Sequence, residues 1–227
     1  MASTTGRTSR RPVVGVTGND KWWSPSWYCI RLSVFLAGGV ARRISHSRRF
    51  PVDALDAIVI SGGDDIHPTI FGEEAQPQTF YDHDRDELEQ AYIRDAMERN
   101  LPMLGICRGH QLINALLGGS LHLNIREMRS KTHNRPGLLA TKTVMIAPGS
   151  RLQQILGRER IRVNSLHYQA VKELAPDLDC EARDLDDFCQ AAALAGKDIL
   201  GVQWHPEYMF YLSTQRKLFR WLVRAAR

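Results

Sequence analysis

The 227-residue chain is 43% apolar and 24% charged with a formal net charge of +5, a balance that supports a globular fold with a substantial core. No apolar run is long enough to span a bilayer, and four irregularly spaced cysteines form neither a C-x-x-C metal pattern nor a disulfide framework, so a reducing, cytoplasmic setting is expected. The basic excess falls largely in the N-terminal residues and along one helix face (Arg216, Lys217, Arg220, Arg224) with no nucleic-acid motif beside it, which argues against a nucleic-acid partner.

Residues 1–11 read as a disordered basic tail and residues 12–227 as one domain, undivided by any repeat or linker. Pro12 to Val16 is an apolar, β-branched run expected to form a buried strand, ending in the turn Thr17-Gly18-Asn19-Asp20. The loop that follows carries Trp22 and Trp23, with Trp27 just beyond. These rings could line a substrate mouth, but packing on the following helix, Trp27 to Leu36, is the expectation. Ala57 to Ile60 reads as a second buried strand. It leads into Ser61-Gly62-Gly63-Asp64-Asp65-Ile66-His67-Pro68, where paired glycines free backbone N–H groups to face an anion. Asp64, Asp65 and His67 lack a second ligand cluster and are not assigned to a metal.

Glu87 to Arg99 is expected as a surface helix with Leu88, Ala91, Tyr92 and Ala96 on its inner face and a capping box formed by Asp84 and Glu87. Pro102 to Ile106 then forms a strand and Leu112 to Leu117 a buried helix closed by Gly118-Gly119. Downstream, Thr141 to Ile146 reads as a strand and Gly149 to Leu156 as a short helix. Leu178 to Ala182, Cys189 to Ala193 and Ile199 to Gln203 read as further strands with antiparallel partners, and Leu212 to Ala225 as the last helix. Alternation of strand and helix through the first half predicts an α/β fold: a doubly wound, mostly parallel sheet with helices on both faces.

The chemistry is expected at Cys107, between that strand and helix in Gly105-Ile106-Cys107-Arg108-Gly109. Flanking glycines permit a nucleophile elbow, and the helix start that follows favours a negative sulfur. Cys29, Cys180 and Cys189 lack this setting and read as buried structural thiols. A thiolate needs a base, and His205 follows the strand Ile199 to Gln203 with Glu207 two residues on, across Pro206. Asp20, Gly62-Gly63, Cys107 and His205 each follow a predicted buried strand, so a doubly wound sheet would gather them at one edge, in one pocket.

Together, Gly-Ile-Cys-Arg-Gly-His-Gln, Trp-His-Pro-Glu, Ser-Gly-Gly-Asp-Asp-Ile-His-Pro and Val-Asn-Ser-Leu-His-Tyr-Gln make a chain that resembles the class I glutamine amidotransferase-like superfamily. Within it the chain looks most like the γ-glutamyl-γ-aminobutyrate hydrolase (peptidase C26) branch, from Pro12 to Tyr208. The resemblance implies a flavodoxin-like core and hydrolysis of a γ-glutamyl amide through a thioester on Cys107, with His205 and Glu207 completing the triad and no metal or organic cofactor. It implies an oxyanion hole from the N–H groups of Gly63 and Arg108, with Gly62 beside the substrate. Gln111 matches a position on the glutamyl group, and Asn164, Ser165, His167 and Gln169 match a substrate-side loop. His167 is the rival base, while His110 and His122 receive no role.

The partner implied is a small γ-glutamylated amine, with assembly as a homodimer left open. A second reading keeps the triad in a glutaminase subunit that passes ammonia to a separate synthase, and a third makes the chain a non-catalytic binding protein. Two departures from the branch bear on the leaving-group pocket. Ile30 stands where the branch carries a tyrosine, and Ala41-Arg42-Arg43-Ile44 replaces an apolar second strand.

Overall fold

The structure, a computed structural model, describes residues 10–75, 80–133 and 135–227; most of the proposed N-terminal tail, residues 1–9, lies outside them. Elements are numbered in chain order. Four short, apolar runs form the middle of a nine-stranded sheet: β1 (Val13–Thr17), β3 (Ala57–Ile60), β4 (Met103–Ile106) and β11 (Ile199–Val202). With the edge strand β2 (Val40–Ile44) they run parallel in the order β2-β1-β3-β4-β11. Beyond β11 the sheet turns antiparallel through β10 (Cys189–Leu194), β9 (Leu178–Asp184), β6 (Gly137–Ile146) and β7 (Arg160–Ser165). The short strands β5 (Ser120–His122) and β8 (Ala170–Glu173) pair separately.

The central strands are apolar along their length because both faces are covered. On one side α1 (Pro25–Leu36) and α5 (Ser213–Ala225) bring Ile30, Val34, Phe219 and Leu222 onto Val14, Val16 and Leu104. On the other, α2 (His83–Glu98) and α3 (Arg108–Leu116) bring Leu88, Ile93, Leu112 and Ile113 onto Ile58, Ile60 and Met103. Each such side chain contributes roughly 1.5–3 kcal/mol of burial. The short helix α4 (Arg151–Leu156) packs beside α5. Close approach of α3 to the sheet explains the glycines around Cys107. A Cβ on Gly109 would stand 2.1 Å from the Ile60 carbonyl oxygen, and one on Gly105 would meet the Gly109 backbone at 2.9 Å.

The structure corrects several expectations. Arg10 and Arg11 do not belong to a loose tail: Arg10 pairs with Asp56 at 2.8 Å, and Arg11 donates to the Gly39 carbonyl at 2.7 Å. The run Ala41-Arg42-Arg43-Ile44 is a strand after all, because an edge position lets its arginines leave the core. Arg43 donates to the carbonyls of Asn19 (2.9 Å) and Lys21 (2.6 Å) and so ties down the first loop. Helix α1 starts earlier than expected, at Pro25 behind the Ser24 cap. Helix α2 is capped by Asp82 on the Arg85 N–H, not by a box of Asp84 and Glu87. Its inner face holds Arg85, Asp86, Glu89 and Ile93, while Ala91 is exposed.

Candidate active site

At the carboxyl ends of β3, β4 and β11 the chain brings Gly62, Cys107 and His205 together. A Cβ on Gly62 would stand 2.5 Å from His205 Cε1 and 3.5 Å from Cys107 Cβ. Cys107 is the residue before α3 and adopts φ 50°, a left-handed conformation that costs energy in a residue with a Cβ. Its N–H is fixed by the Val202 carbonyl at 2.8 Å, and its own carbonyl accepts from the Gln111 N–H at 3.1 Å. The thiol is thereby held at the helix N-terminus, an elbow like that inferred from the flanking glycines.

His205 Nδ1 meets Glu207 Oε1 at 2.8 Å, and Glu207 is fully buried, with no partner for Oε2 among the described residues. Burial works against a charged imidazole. The Glu207 carboxylate, the Cys107 sulfur and the hydrogen bonds the ring donates to both overcome it and hold His205 well above the ordinary histidine range. Tyr208 stacks on the ring with centroids 5.3 Å apart, and burial together with Glu207 pushes its hydroxyl up to about 12, so it is a neutral wall. Chemically, such an arrangement can supply a nucleophile, a base and an orienter, with a proton on the ring for a departing amine.

The residues expected on the substrate side divide. Asn164 grips the backbone of His205 from both sides, accepting its N–H at 2.8 Å and donating to its carbonyl at 3.0 Å. Gln111 spends its NH2 group on the Gln169 carbonyl (2.9 Å) and on Gln203 Oε1 (3.1 Å). Gln203, read from the sequence only as the end of a strand, passes this on by donating to Cys107 Sγ at 3.5 Å. Gln169 is buried with its Oε1 unpartnered among the described residues, while Ser165 closes β7. His167 turns Nδ1 to the Gln169 carbonyl at 2.8 Å, and its ring is half-buried, with desolvation pushing it down to about 3. A base that hardly accepts a proton near neutrality is a poor rival to His205.

Beside His205 lies a cleft of about 320 Å³ lined by Asn19, Lys21, Trp23, Gly62, Gly63 and Arg85, among others. Trp22 and Trp23 are exposed, 83% and 57%, and Trp23 contacts Tyr28 at 5.0 Å. Trp27 is itself part of α1 and packs against the core, and Trp23 meets α1 through Tyr28, whereas Trp22 reaches only Trp23 and stays in solvent. Asp20 stays outside the pocket and binds Ser45 and Ser47 instead. Of the other cysteines only Cys189 is buried; Cys29 and Cys180 keep partial exposure, and Cys180 and Cys189 touch at 3.3 Å. His67 caps a 3-10 turn through Thr69, and among the described residues no cluster of three or more His, Cys, Asp or Glu could hold a metal ion. His110 is buried with burial lowering it to about 4, and it packs on Gly201.

The peptidase C26 family profile matches residues 12–207. The chain belongs to the peptidase C26 family. Its members share a class I glutamine amidotransferase-like fold, and the chain is a hydrolase of that kind. The chain is 32% identical to γ-glutamyl-γ-aminobutyrate hydrolase PuuD of Escherichia coli strain K12, over 78% of this chain and 76% of that protein. It is 30% identical to protein NtpR of Enterococcus hirae, over 94% and 98%. The crystal structure of a glutamine amidotransferase from Thermotoga maritima superposes with a TM-score of 0.64 at 15% identity, covering 87% of this chain and 77% of that one, which shows the shared fold. No helix among the described residues is long and apolar enough to cross a membrane.

Proposed function

We propose that this C26 hydrolase cleaves a γ-glutamyl amide, releasing glutamate and a small amine, with Cys107 as nucleophile. The observation that carries the reading is the left-handed Cys107 at the start of α3, facing a buried His205–Glu207 pair. Sγ attacks the γ-carbonyl carbon, and the negative charge that develops on oxygen is met by the N–H groups of Gly63 and Arg108. Collapse breaks the C–N bond as His205 gives its proton to the amine. Water, deprotonated by His205, then opens the thioester and restores the thiol.

The cleft beside His205 supports a leaving amine with a body of its own, and its wall of Asn19, Lys21 and Trp23 is where selectivity between amines would arise. The similarity to a γ-glutamyl-γ-aminobutyrate hydrolase favours the same class of substrate. A kcat/KM series across γ-glutamyl amides, from glutamine to longer amines, tests the reading. The expected order puts glutamine low, because ammonia forfeits the binding energy of the cleft. Glutamine as the best substrate, with longer amines rejected, would replace it with a glutaminase that serves a synthase.

A further inference from the structure

The acyl-transfer reading needs two backbone N–H groups aimed at one oxygen, and the structure contains a device that would aim both. Beneath the site α2 buries two acids and one arginine, Asp86, Glu89 and Arg85, against the Arg108 side chain from α3; all four are at most 4% exposed. Glu89 is the hub. Its Oε1 accepts from Arg85 Nε at 2.9 Å and from the Thr17 hydroxyl at 2.7 Å, and its Oε2 accepts from Arg108. Asp86 takes the other branch of the Arg108 guanidinium. The cluster balances two acids with two arginines, and a buried set of this kind is a weak source of stability, so its position is the more informative feature.

Arg85 reaches from Glu89 to the glycine loop, where Nη2 donates to the carbonyls of Ser61 at 3.1 Å and Gly62 at 2.9 Å. In a trans peptide the carbonyl and the next N–H point in opposite directions, and the described chain has no cis bond. Holding those two carbonyls therefore turns the N–H groups of Gly62 and Gly63 away from Arg85. Cys107 and His205 occupy the space a Cβ on Gly62 would take, and a Cβ on Gly63 would strike Arg85 Nη1 at 2.1 Å, so the loop is seated directly on the guanidinium. Thr17 adds a third tie by accepting the Ser61 N–H at 3.3 Å. On the other side Arg108, whose N–H is the second donor, has its side chain locked by Glu89 and Asp86. We propose that Arg85, braced by Glu89, is a positioning residue that sets the geometry of the oxyanion hole. The proposal rests on the acyl-transfer reading given above.

The test compares two reactions of the same thiol in the full chain. An activated ester such as p-nitrophenyl acetate acylates Cys107 through a tetrahedral oxyanion, whatever the natural amide. Iodoacetamide alkylates it by displacement at saturated carbon and makes no oxyanion. Arg85→Lys keeps the buried charge but gives up the planar fork that serves the carboxylate and the carbonyls together. The expected result is acylation slowed by about 100-fold, as for a misplaced reacting geometry, with alkylation unchanged. Thr17→Val, which removes only the hydroxyl link, is expected to move the ratio of the two rates the same way by a smaller factor, and serves if Arg85→Lys does not fold. Both rates falling together, or neither falling, would overturn the proposal. A wild-type chain that is alkylated but never acylated would bring down the acyl-transfer reading first, and this role with it.

Discussion

Replacing Glu207 by glutamine removes one charge and keeps the shape, so the effect on His205 can be worked from the structure. The carboxylate is fully buried and 2.8 Å from Nδ1. Unit charges about 4 Å apart attract by about 4 kcal/mol at an effective dielectric of 20, and one pKa unit is about 1.4 kcal/mol. The ring can still donate to the amide oxygen, so His205 should fall toward the ordinary histidine range by less than the whole charge term. His205 lies well above the ordinary histidine range in the wild type, and losing the anion brings it down. The alkaline limb of the kcat/KM profile, which reports the proton needed by the leaving amine, should therefore move to lower pH. Activity at neutral pH should drop by about 10²- to 10⁴-fold, the upper figure being that of an uncharged orienting residue in a serine triad. Stability follows the same sign. A raised histidine contributes fully below about pH 6.5 and loses its contribution as pH climbs through the folded value, so thermal melts of Glu207→Gln should depend less on pH above neutrality. An alkaline limb that stays in place, with near-normal turnover, would refute the reasoning.

Three further substitutions probe the site. Gly62→Ala adds a methyl 2.5 Å from His205 Cε1 and should displace the ring, cutting kcat while circular dichroism and melting stay close to wild type. Asn164→Ala removes both clamps on the His205 backbone, leaving buried groups unpaired at about 1–3 kcal/mol each, so the melting temperature and kcat should fall together. His167→Ala should leave the rate of Cys107 alkylation unchanged, because a histidine pushed down to about 3 is already neutral; His205→Ala should not.

What the sequence made legible follows from burial. Strands β1, β3, β4 and β11 are buried on both faces and stand out as unbroken apolar runs, and the residues at their ends led to the candidate triad. Strand β2 was illegible as a strand because its edge position carries Arg42 and Arg43, and β5 and β8 are too short to show a period. The acids of α2 carry no signal of their burial. At helical spacing Asp86 and Glu89 look like a solvated face, and only the fold places Arg108 from α3 opposite them. For the same reason Gln203 reads only as the end of a strand, and Asn164 as a substrate-side residue. Their roles are hydrogen bonds to Cys107 and to the His205 backbone, made across strands that are distant in sequence.

The central claim is a covalent one, and intact-mass measurement of the acid-quenched chain during turnover of a γ-glutamyl amide tests it most directly. The account predicts an adduct of one glutamyl unit on Cys107, released by hydroxylamine and absent from Cys107→Ala, which should also lose about 10⁴-fold or more in kcat. Steady turnover by Cys107→Ala, or an adduct mapped to a residue other than Cys107, would contradict it.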